Sequence, residues 1–285
     1  MLRLGRWRLH SLVDGTFSVD GGSAFGIVPR ALWARDLPPD GDNRIRLAAR
    51  SLLAVDEASG RRVLVDAGFG DCLDAHFAAH HSVERPGGGL RAGLRALGVE
   101  AGDVTDLVLT HLHLEHAGGL VRPGAGGRPE LAFPRAAVHV QRRAWQWAHA
   151  PSEHDRAAFR PALLEPLGHG SQLHLVDGEL ELFPGLELVV SEGHTVAQQL
   201  PRFRGEGESH LTCCGDLVPT AAHLRPAWGM AFDLLPLTAI EEKKVLLAEA
   251  LEDDGILLFG HDPAIAACRL SERDGHPAFR EAVEV

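Results

Sequence analysis

Residues 110–119 read Thr-His-Leu-His-Leu-Glu-His-Ala-Gly-Gly and directly follow a short apolar run. Three histidines and one glutamate fall within six residues here, at the end of a predicted strand. Residues two apart in an extended segment face the same way, so His111 and His113 can point at one cation. Glu115 and His116 begin the next turn and can point at a second cation nearby. Imidazole and carboxylate ligands suit zinc first, with iron or manganese as alternatives.

Five short apolar runs along the chain stop at a histidine, at an aspartate or at a glycine-containing loop. They are residues 62–65, 106–110, 186–190, 211–214 and 255–259. Continuous apolar runs of this length predict strands that are buried on both faces, as in a sheet covered by helices. Polar groups at the ends of such strands converge on one rim of the sheet, where α/β folds place their sites.

Helical spacing of apolar residues predicts the elements between these strands. The predicted helices are 89–97, a pair at 140–150 and 152–164 that is broken at Pro151, and one from a capping box at Thr238 and Glu241 to about residue 253. Residues 4–56 are predicted to be mostly β, with a long Gly- and Pro-rich loop over 21–42. Two rounds of strands and helices indicate two similar halves. No linker separates them, so we expect one domain over residues 1–285.

The composition excludes several classes of protein. A chain of 285 residues with 45% hydrophobic and 24% charged residues can bury a sizeable core. Its net charge of −11 argues against nucleic acid as a partner, because phosphate binding needs a basic face. The apolar runs are too short for a membrane span, and no signal-peptide core begins the sequence. Four cysteines without CxxC spacing suit a reducing compartment, so we expect a cytoplasmic protein.

The segment 110–119 resembles the metal-binding motif His-x-His-x-Asp-His of the metallo-β-lactamase superfamily. Other markers of the superfamily follow in the right order: Asp66 in Val-Asp-Ala-Gly, His194 in Gly-His-Thr, Asp216 in Gly-Asp and His261 in Gly-His. The resemblance covers nearly the whole chain and implies an α/β fold, a four-layer αββα sandwich. Residues 20–29 and 220–228 are similar to a branch that contains lactonase-like and methyl parathion hydrolase-like enzymes.

The resemblance also implies a role for each matching residue. His111, His113 and His194 would hold a first divalent cation, Glu115, His116 and His261 would hold a second, and Asp216 would bridge both. Asp66 would support the site from outside by hydrogen-bonding a ligand histidine or its loop. The superfamily has aspartate where Glu115 stands. Glutamate is longer, so we expect a second cation site that is retained with altered geometry or affinity.

These roles imply a hydrolase with a small-molecule substrate, in which a metal-bridging hydroxide attacks an ester, lactone or phosphoester over a broad substrate range. Asp216 would steer the water or accept its proton. Lactonase relatives use a tyrosine near the metals, and this chain contains none. Protonation of the leaving group is therefore left to His223, to a water, or to an activated leaving group that needs no proton.

Two other classes of function stay open at this point. An iron-dependent oxygenase on the same fold is disfavoured, because a one-iron site does not need the second set of ligands. A non-catalytic binding protein is disfavoured by the intact ligand set. A homodimer is compatible with the sequence, which does not determine the oligomeric state.

Four aromatic residues are candidates for an apolar substrate pocket. Phe25 and Trp33 lie in the long loop over 21–42, and Trp228 and Phe232 lie in the loop after Asp216. Both loops follow predicted strands and could wall the site. Aromatic side chains are more often core residues, so core packing is the alternative for each of them.

Overall fold

The computed structural model describes residues 1–205, 207 and 209–285. These residues form two seven-stranded sheets, the first of which comes from the N-terminal part of the chain. In chain order its strands, with a separate hairpin of β6 and β7, are β1 (Leu2–Leu4), β2 (Trp7–Asp20), β3 (Arg44–Asp56), β4 (Arg61–Val65), β5 (Asp106–Val108), β6 (Val121–Pro123), β7 (Pro129–Leu131), β8 (Ala137–Gln141) and β9 (Leu173–Val176). Their order across the sheet is β1-β2-β3-β4-β5-β8-β9. Strands β1 to β4 are antiparallel, and β4, β5, β8 and β9 are parallel.

The second sheet comes from the second half of the chain. Its strands are β10 (Leu180–Phe183), β11 (Leu186–Ser191), β12 (Gln198–Arg204), β13 (His210–Cys213), β14 (Ile256–Leu258), β15 (Ala267–Arg273) and β16 (His276–Val283). They lie side by side in chain order. All neighbouring pairs are antiparallel except β13 and β14, which are parallel.

The described residues form eight α-helices. They are α1 (Gly21–Phe25), α2 (Arg30–Trp33), α3 (Ala75–His80), α4 (Gly89–Ala96), α5 (Leu114–Ala117), α6 (Arg142–His149), α7 (Pro161–Gly168) and α8 (Pro236–Glu252). The four longest, α4, α6, α7 and α8, pack on the outer faces of the two sheets. Within the part of the chain that the structure describes, none of these helices is long and apolar enough to cross a bilayer.

Alternation along the central strands builds the layers. In β4, Val63 and Val65 pack between the two sheets, while Leu64 packs outward with residues of α4, α6 and α7. In β14, Ile256 packs between the sheets, while Leu257 packs outward against α8. Helices, sheet, sheet and helix therefore form the αββα sandwich that the resemblance implied.

The structure places all five apolar runs in strands, but the bounds predicted for the helix pair and for the capping-box helix are wrong. Residues 140 and 141 continue β8, and the second helix of the pair begins at Pro161 instead of 152. Helix α8 begins at Pro236, with no side-chain cap, instead of at the predicted capping box. In both cases a proline occupies the first helical position, where its fixed φ favours a helix start.

The long loop predicted over 21–42 contains two short helices, α1 and α2. Asp20 caps α1 by accepting a hydrogen bond from the Ser23 amide at 2.9 Å. Ala24 and Phe25 of α1 and Trp33 of α2 are buried in a cluster with residues of β2 and β3. The segment is therefore a packed layer at the edge of the first sheet.

We expect Gly119→Ala to destabilise the protein, because a Cβ atom at this position would overlap the carbonyl oxygen of Ala67. Overpacking of this kind costs about 1–3 kcal/mol of the free energy of unfolding, which urea denaturation measures. Gly102→Ala is the matched control, since no atom lies within 4 Å of a Cβ there. Equal stability of the two variants would contradict the close approach at Gly119.

Candidate metal centre

Two pairs of parallel strands bring the predicted ligand loops together. Asp66 follows β4 and His111 lies just beyond β5, its parallel neighbour in the first sheet. Asp216 follows β13 and His261 follows β14, the parallel pair of the second sheet. Carboxyl ends of parallel strands share one edge of a sheet, so each sheet delivers two loops to the same place.

The first group of side chains consists of three buried histidines, His111, His113 and His194. The His111 Nε2 atom lies 3.1 Å from the His113 Nδ1 atom, and the His194 Nε2 atom lies 3.2 Å from that same Nδ1 atom. Nitrogen ligands of a tetrahedral zinc ion lie about 3.4 Å apart when the Zn–N distance is about 2.0–2.1 Å. The spacing of the three nitrogens therefore fits a shared cation.

The second group consists of Glu115, His116, Asp216 and His261, whose ligand atoms all lie within 4.8 Å of one another. The Asp216 Oδ1 atom is 2.9 Å from His261 Nε2 and 3.2 Å from His116 Nε2. The Asp216 Oδ2 atom faces the first group and is 3.4 Å from His194 Nε2. Thus the Asp216 carboxylate lies between the two groups.

Asp66 holds the loop that carries the first ligands. Its Oδ2 atom lies 2.9 Å from His116 Nδ1, and its Oδ1 atom accepts a hydrogen bond from the Thr110 amide at 2.8 Å. The Thr110 hydroxyl also contacts His111 Nδ1 at 3.1 Å. With its outer nitrogen engaged, each ring turns its inner nitrogen toward the group. This arrangement is the supporting contact that the sequence led us to expect of Asp66.

Two further outer contacts were not predicted from the sequence. Asp233 Oδ1 lies 3.0 Å from His194 Nδ1, and His261 Nδ1 donates to the carbonyl oxygen of Ala48 at 2.8 Å. The one signal for Asp233 in the sequence is its place as a lone charge in the apolar stretch 228–235. A backbone carbonyl such as that of Ala48 has no sequence signal at all.

The electrostatics of the cluster favour a cation. Burial would raise the pKa of the Asp216 carboxyl, but His261, His116 and His194 hold it well below its usual range. Burial, together with the neighbouring rings of His116 and His113, lowers the pKa of His111 well below its usual value. Burial lowers the pKa values of His116 and His194, but Asp216 together with Asp66 or Asp233 raises both of them above the usual value. A histidine must be neutral to bind a metal, so a divalent cation would take the place of these protons beside the ionised carboxylate.

His223, a candidate proton source in the sequence analysis, does not line the cavity over the ligands. The ring is buried, its Nε2 donates to the Ala24 carbonyl oxygen at 2.9 Å, and its Nδ1 accepts from the Thr220 hydroxyl at 2.7 Å. It also stacks on Phe25 with ring centroids 4.5 Å apart. Burial and the charge of Lys243 lower the pKa of His223 to about 3. A ring with both nitrogens engaged has no proton to give to a leaving group.

Three of the four aromatic residues proposed for the pocket are core residues. Phe25 stacks on Trp33 with centroids 5.2 Å apart and meets Trp228 edge-on at 5.8 Å. The three belong to the buried cluster beside β2 and β3. Phe232 is different, because it is 43% exposed and lines a cavity over the ligands. The sequence could not show which aromatic side chains of each loop are buried.

The cavity has a volume of about 240 Å³, and five of the ligands lie in its lining: His113, Glu115, His194, Asp216 and His261. Its walls are mostly apolar and include Phe17, Val19, Leu47, Phe69, Phe77 and Phe232. A larger groove of about 620 Å³ beside α8 contains none of the ligands. We therefore take the smaller cavity as the one that could hold a substrate.

A family model described as the metallo-beta-lactamase superfamily matches residues 49–261. The matched part is more than half of the chain and includes all the predicted ligands. The chain therefore belongs to the metallo-β-lactamase superfamily.

Curated relatives are similar over part of their length. N-acyl homoserine lactonase from Bacillus thuringiensis is 25% identical over 170 residues, which cover 59% of this chain and 60% of the relative. A probable metallo-hydrolase from Mycobacterium tuberculosis is 34% identical over 155 residues, which cover 47% of this chain and 46% of the relative. The chain thus matches about three-fifths or less of the length of these relatives. The first similarity fits a lactonase-like branch.

Solved structures agree with the fold. A probable metal-dependent hydrolase from Staphylococcus aureus has a TM-score of 0.86 and 26% identity, covering 99% of this chain and 100% of that one. AidC, a dizinc quorum-quenching lactonase in complex with a product, has a TM-score of 0.81 and 22% identity, covering 100% and 97%. The second likeness is one of fold alone.

We expect His223→Phe to affect stability more than catalysis. The ring can still stack on Phe25, but the Ala24 carbonyl and the Thr220 hydroxyl lose their partner. An unpaired buried polar group costs about 1–3 kcal/mol in the free energy of unfolding, which urea denaturation measures. A hundredfold loss of kcat at unchanged stability would instead restore His223 as a proton donor.

Proposed function

We propose that the chain is a dinuclear metal-dependent hydrolase of small esters, lactones or phosphoesters. The observation that carries the proposal is the position of Asp216, with Oδ1 2.9 Å from His261 Nε2 and Oδ2 3.4 Å from His194 Nε2. A carboxylate with one oxygen toward each ligand group is the arrangement that a bridging ligand needs. Membership of a superfamily of metallo-hydrolases supports the same conclusion.

The donor set suits two divalent cations, zinc first and iron or manganese as alternatives. Such a pair would supply an activated water at neutral pH and would polarise the carbonyl or phosphoryl oxygen of the substrate. The three histidines of the first group and the four residues of the second would hold the pair. Glu115 reaches the second group from the first turn of α5, so its longer side chain is compatible with a ligand role.

The chain's own groups also handle protons and the substrate. Asp216 lines the cavity, where its carboxylate can orient an attacking water and accept its proton. The apolar walls exclude bulk water and suit an acyl or aryl portion of a substrate. Phe232 is the one of the four aromatic candidates that lines this cavity, together with Phe17, Phe69 and Phe77.

The groups that could protonate a leaving group limit the class of substrate. His223 is excluded by its hydrogen bonds, and the sequence contains no tyrosine. His81 also lines the cavity, but its Nδ1 is already within 3.2 Å of the Ser18 carbonyl oxygen. These features favour leaving groups that need no proton, as in aryl esters and phosphotriesters. Lactones stay in the proposal because of the similarity to N-acyl homoserine lactonase.

We expect elemental analysis of the purified protein to find about two divalent cations per chain, given its two ligand groups. His113→Ala should lower that number and reduce kcat/KM by at least about a hundredfold on a panel of lactones, aryl esters and phosphotriesters. His276→Ala, on the exposed strand β16, is the control. Full turnover by His113→Ala would contradict metal-dependent hydrolysis, and oxygen uptake by an iron-loaded protein would favour an oxygenase.

We expect Glu115→Asp to fold normally and to change the occupancy of the second group, because the carboxylate then starts one methylene further from the other ligands. Titration with Zn²⁺, followed by elemental analysis, measures the occupancy. An unchanged stoichiometry and affinity would show that Glu115 is not a ligand. A tighter second site would agree with the aspartate that the superfamily has at this position.

A further inference from the structure

Helix α8 contacts the loop that carries His194. The Glu242 carboxylate accepts three hydrogen bonds from the residues just before that histidine. Its Oε2 atom accepts from the Ser191 hydroxyl at 2.7 Å and from the Gly193 amide at 3.1 Å. Its Oε1 atom accepts from the Glu192 amide at 2.8 Å. The Glu242 side chain thus fixes the backbone of the residues that precede His194.

The next residue of α8 contacts a second loop. Lys243 is 1% exposed, and its ammonium group donates to the Trp228 carbonyl oxygen at 2.8 Å. Burial lowers the pKa of Lys243 to about 8, although the charge of Asp233 acts in the opposite direction. A lysine is seldom buried so completely, because its charge is costly to remove from water. This cost calls for a role that an apolar residue would not fill.

The second loop reaches the same histidine from its other side. Asp233 lies five residues after Trp228 and contacts His194 Nδ1 at 3.0 Å. The Leu234 amide then donates to the His194 carbonyl oxygen at 3.0 Å. The segment from Trp228 to Leu234 is therefore held by Lys243 at its start and by His194 at its end.

The His194 loop also lies directly against the helix. A Cβ atom at Gly193 would overlap Ala239 of α8, so the two backbones are in close contact. With no room between them, a shift of the helix must move the loop. The geometry couples the position of α8 to the orientation of one ligand ring.

We propose that Glu242 and Lys243 are positioning residues that together fix His194 for cation binding, which gives α8 a role beyond covering the second sheet. Glu242 holds the backbone before the ring, and Lys243 holds the loop that presents Asp233 to the ring. This inference rests on the cation site of the proposed function. The alternative is that both residues only anchor the helix.

The same helix supplies a matched control. Glu241 and Lys244 flank the pair, have the same side-chain types, and form an ion pair of 2.7 Å with each other. Their side chains are 72% and 54% exposed. Leu247, a fully buried core residue of α8, provides a second control that lowers stability without removing a polar contact.

The experiment compares Glu242→Gln and Lys243→Met with Glu241→Gln, Lys244→Met and Leu247→Ala. Zn²⁺ alone is titrated into each metal-free protein against a chromophoric chelator, and thermal unfolding is measured in parallel. We expect both test variants to bind one of their zinc ions about 10–100-fold more weakly, as for loss of other groups that orient ligands. The three controls should stay within about twofold of the wild type, including Leu247→Ala at its lower Tm.

Zinc affinity that is unchanged in the test variants, or that falls equally in Leu247→Ala, would overturn the proposal. If Lys243→Met does not fold, hydrogen exchange of the wild type decides instead. The amides of Glu192 and Gly193 should then exchange at least tenfold more slowly when zinc is bound, and equal rates would overturn the proposal. A wild-type chain that binds no zinc would overturn the proposed function itself, so the two failures are distinguishable.

Discussion

The convergence of buried ring nitrogens and a buried carboxylate on one point is the constraint on which the rest of the structure depends. The His111 Nε2 and His194 Nε2 atoms lie 3.1 and 3.2 Å from the His113 Nδ1 atom. Packing so many polar groups away from water costs free energy unless a partner of opposite charge compensates it. The divalent cations of the proposed function would be such partners.

Each sheet contributes to this assembly through one parallel strand pair. The first sheet brings Asp66 and the segment from His111 to His116, and the second brings Asp216 and His261. His194 comes from the turn between β11 and β12 of the second sheet. Strands β11 and β12 are antiparallel, and the remaining antiparallel strands enlarge the common core. The αββα sandwich therefore brings the ligand-bearing loops of the two sheets next to each other.

How far the sequence predicts this molecule depends on the range of each interaction. The strand runs and the motif at 110–119 are local, and the αββα fold implied by the motif is confirmed by the structure and by the family match. The sequence could not decide between pocket and core for His223, Phe25, Trp33 and Trp228, because long-range packing determines which side chains of a loop turn inward. Asp233 and the Ala48 carbonyl were missed for the same reason: each meets its histidine from a distant part of the chain. The start of α8 was set by a proline that outweighed the capping pattern.

The ligands are drawn from both halves of the chain, and this has a thermodynamic consequence. His194, Asp216 and His261 join the local set at residues 111–116 only in the folded chain, so the proposed cations would bind the native state more tightly than the unfolded chain. With such cations bound, metal binding and protein folding would be linked equilibria, and the apparent melting temperature would depend on the metal activity of the buffer. A stability value for this protein would then have meaning only together with the free cation concentration at which it was obtained.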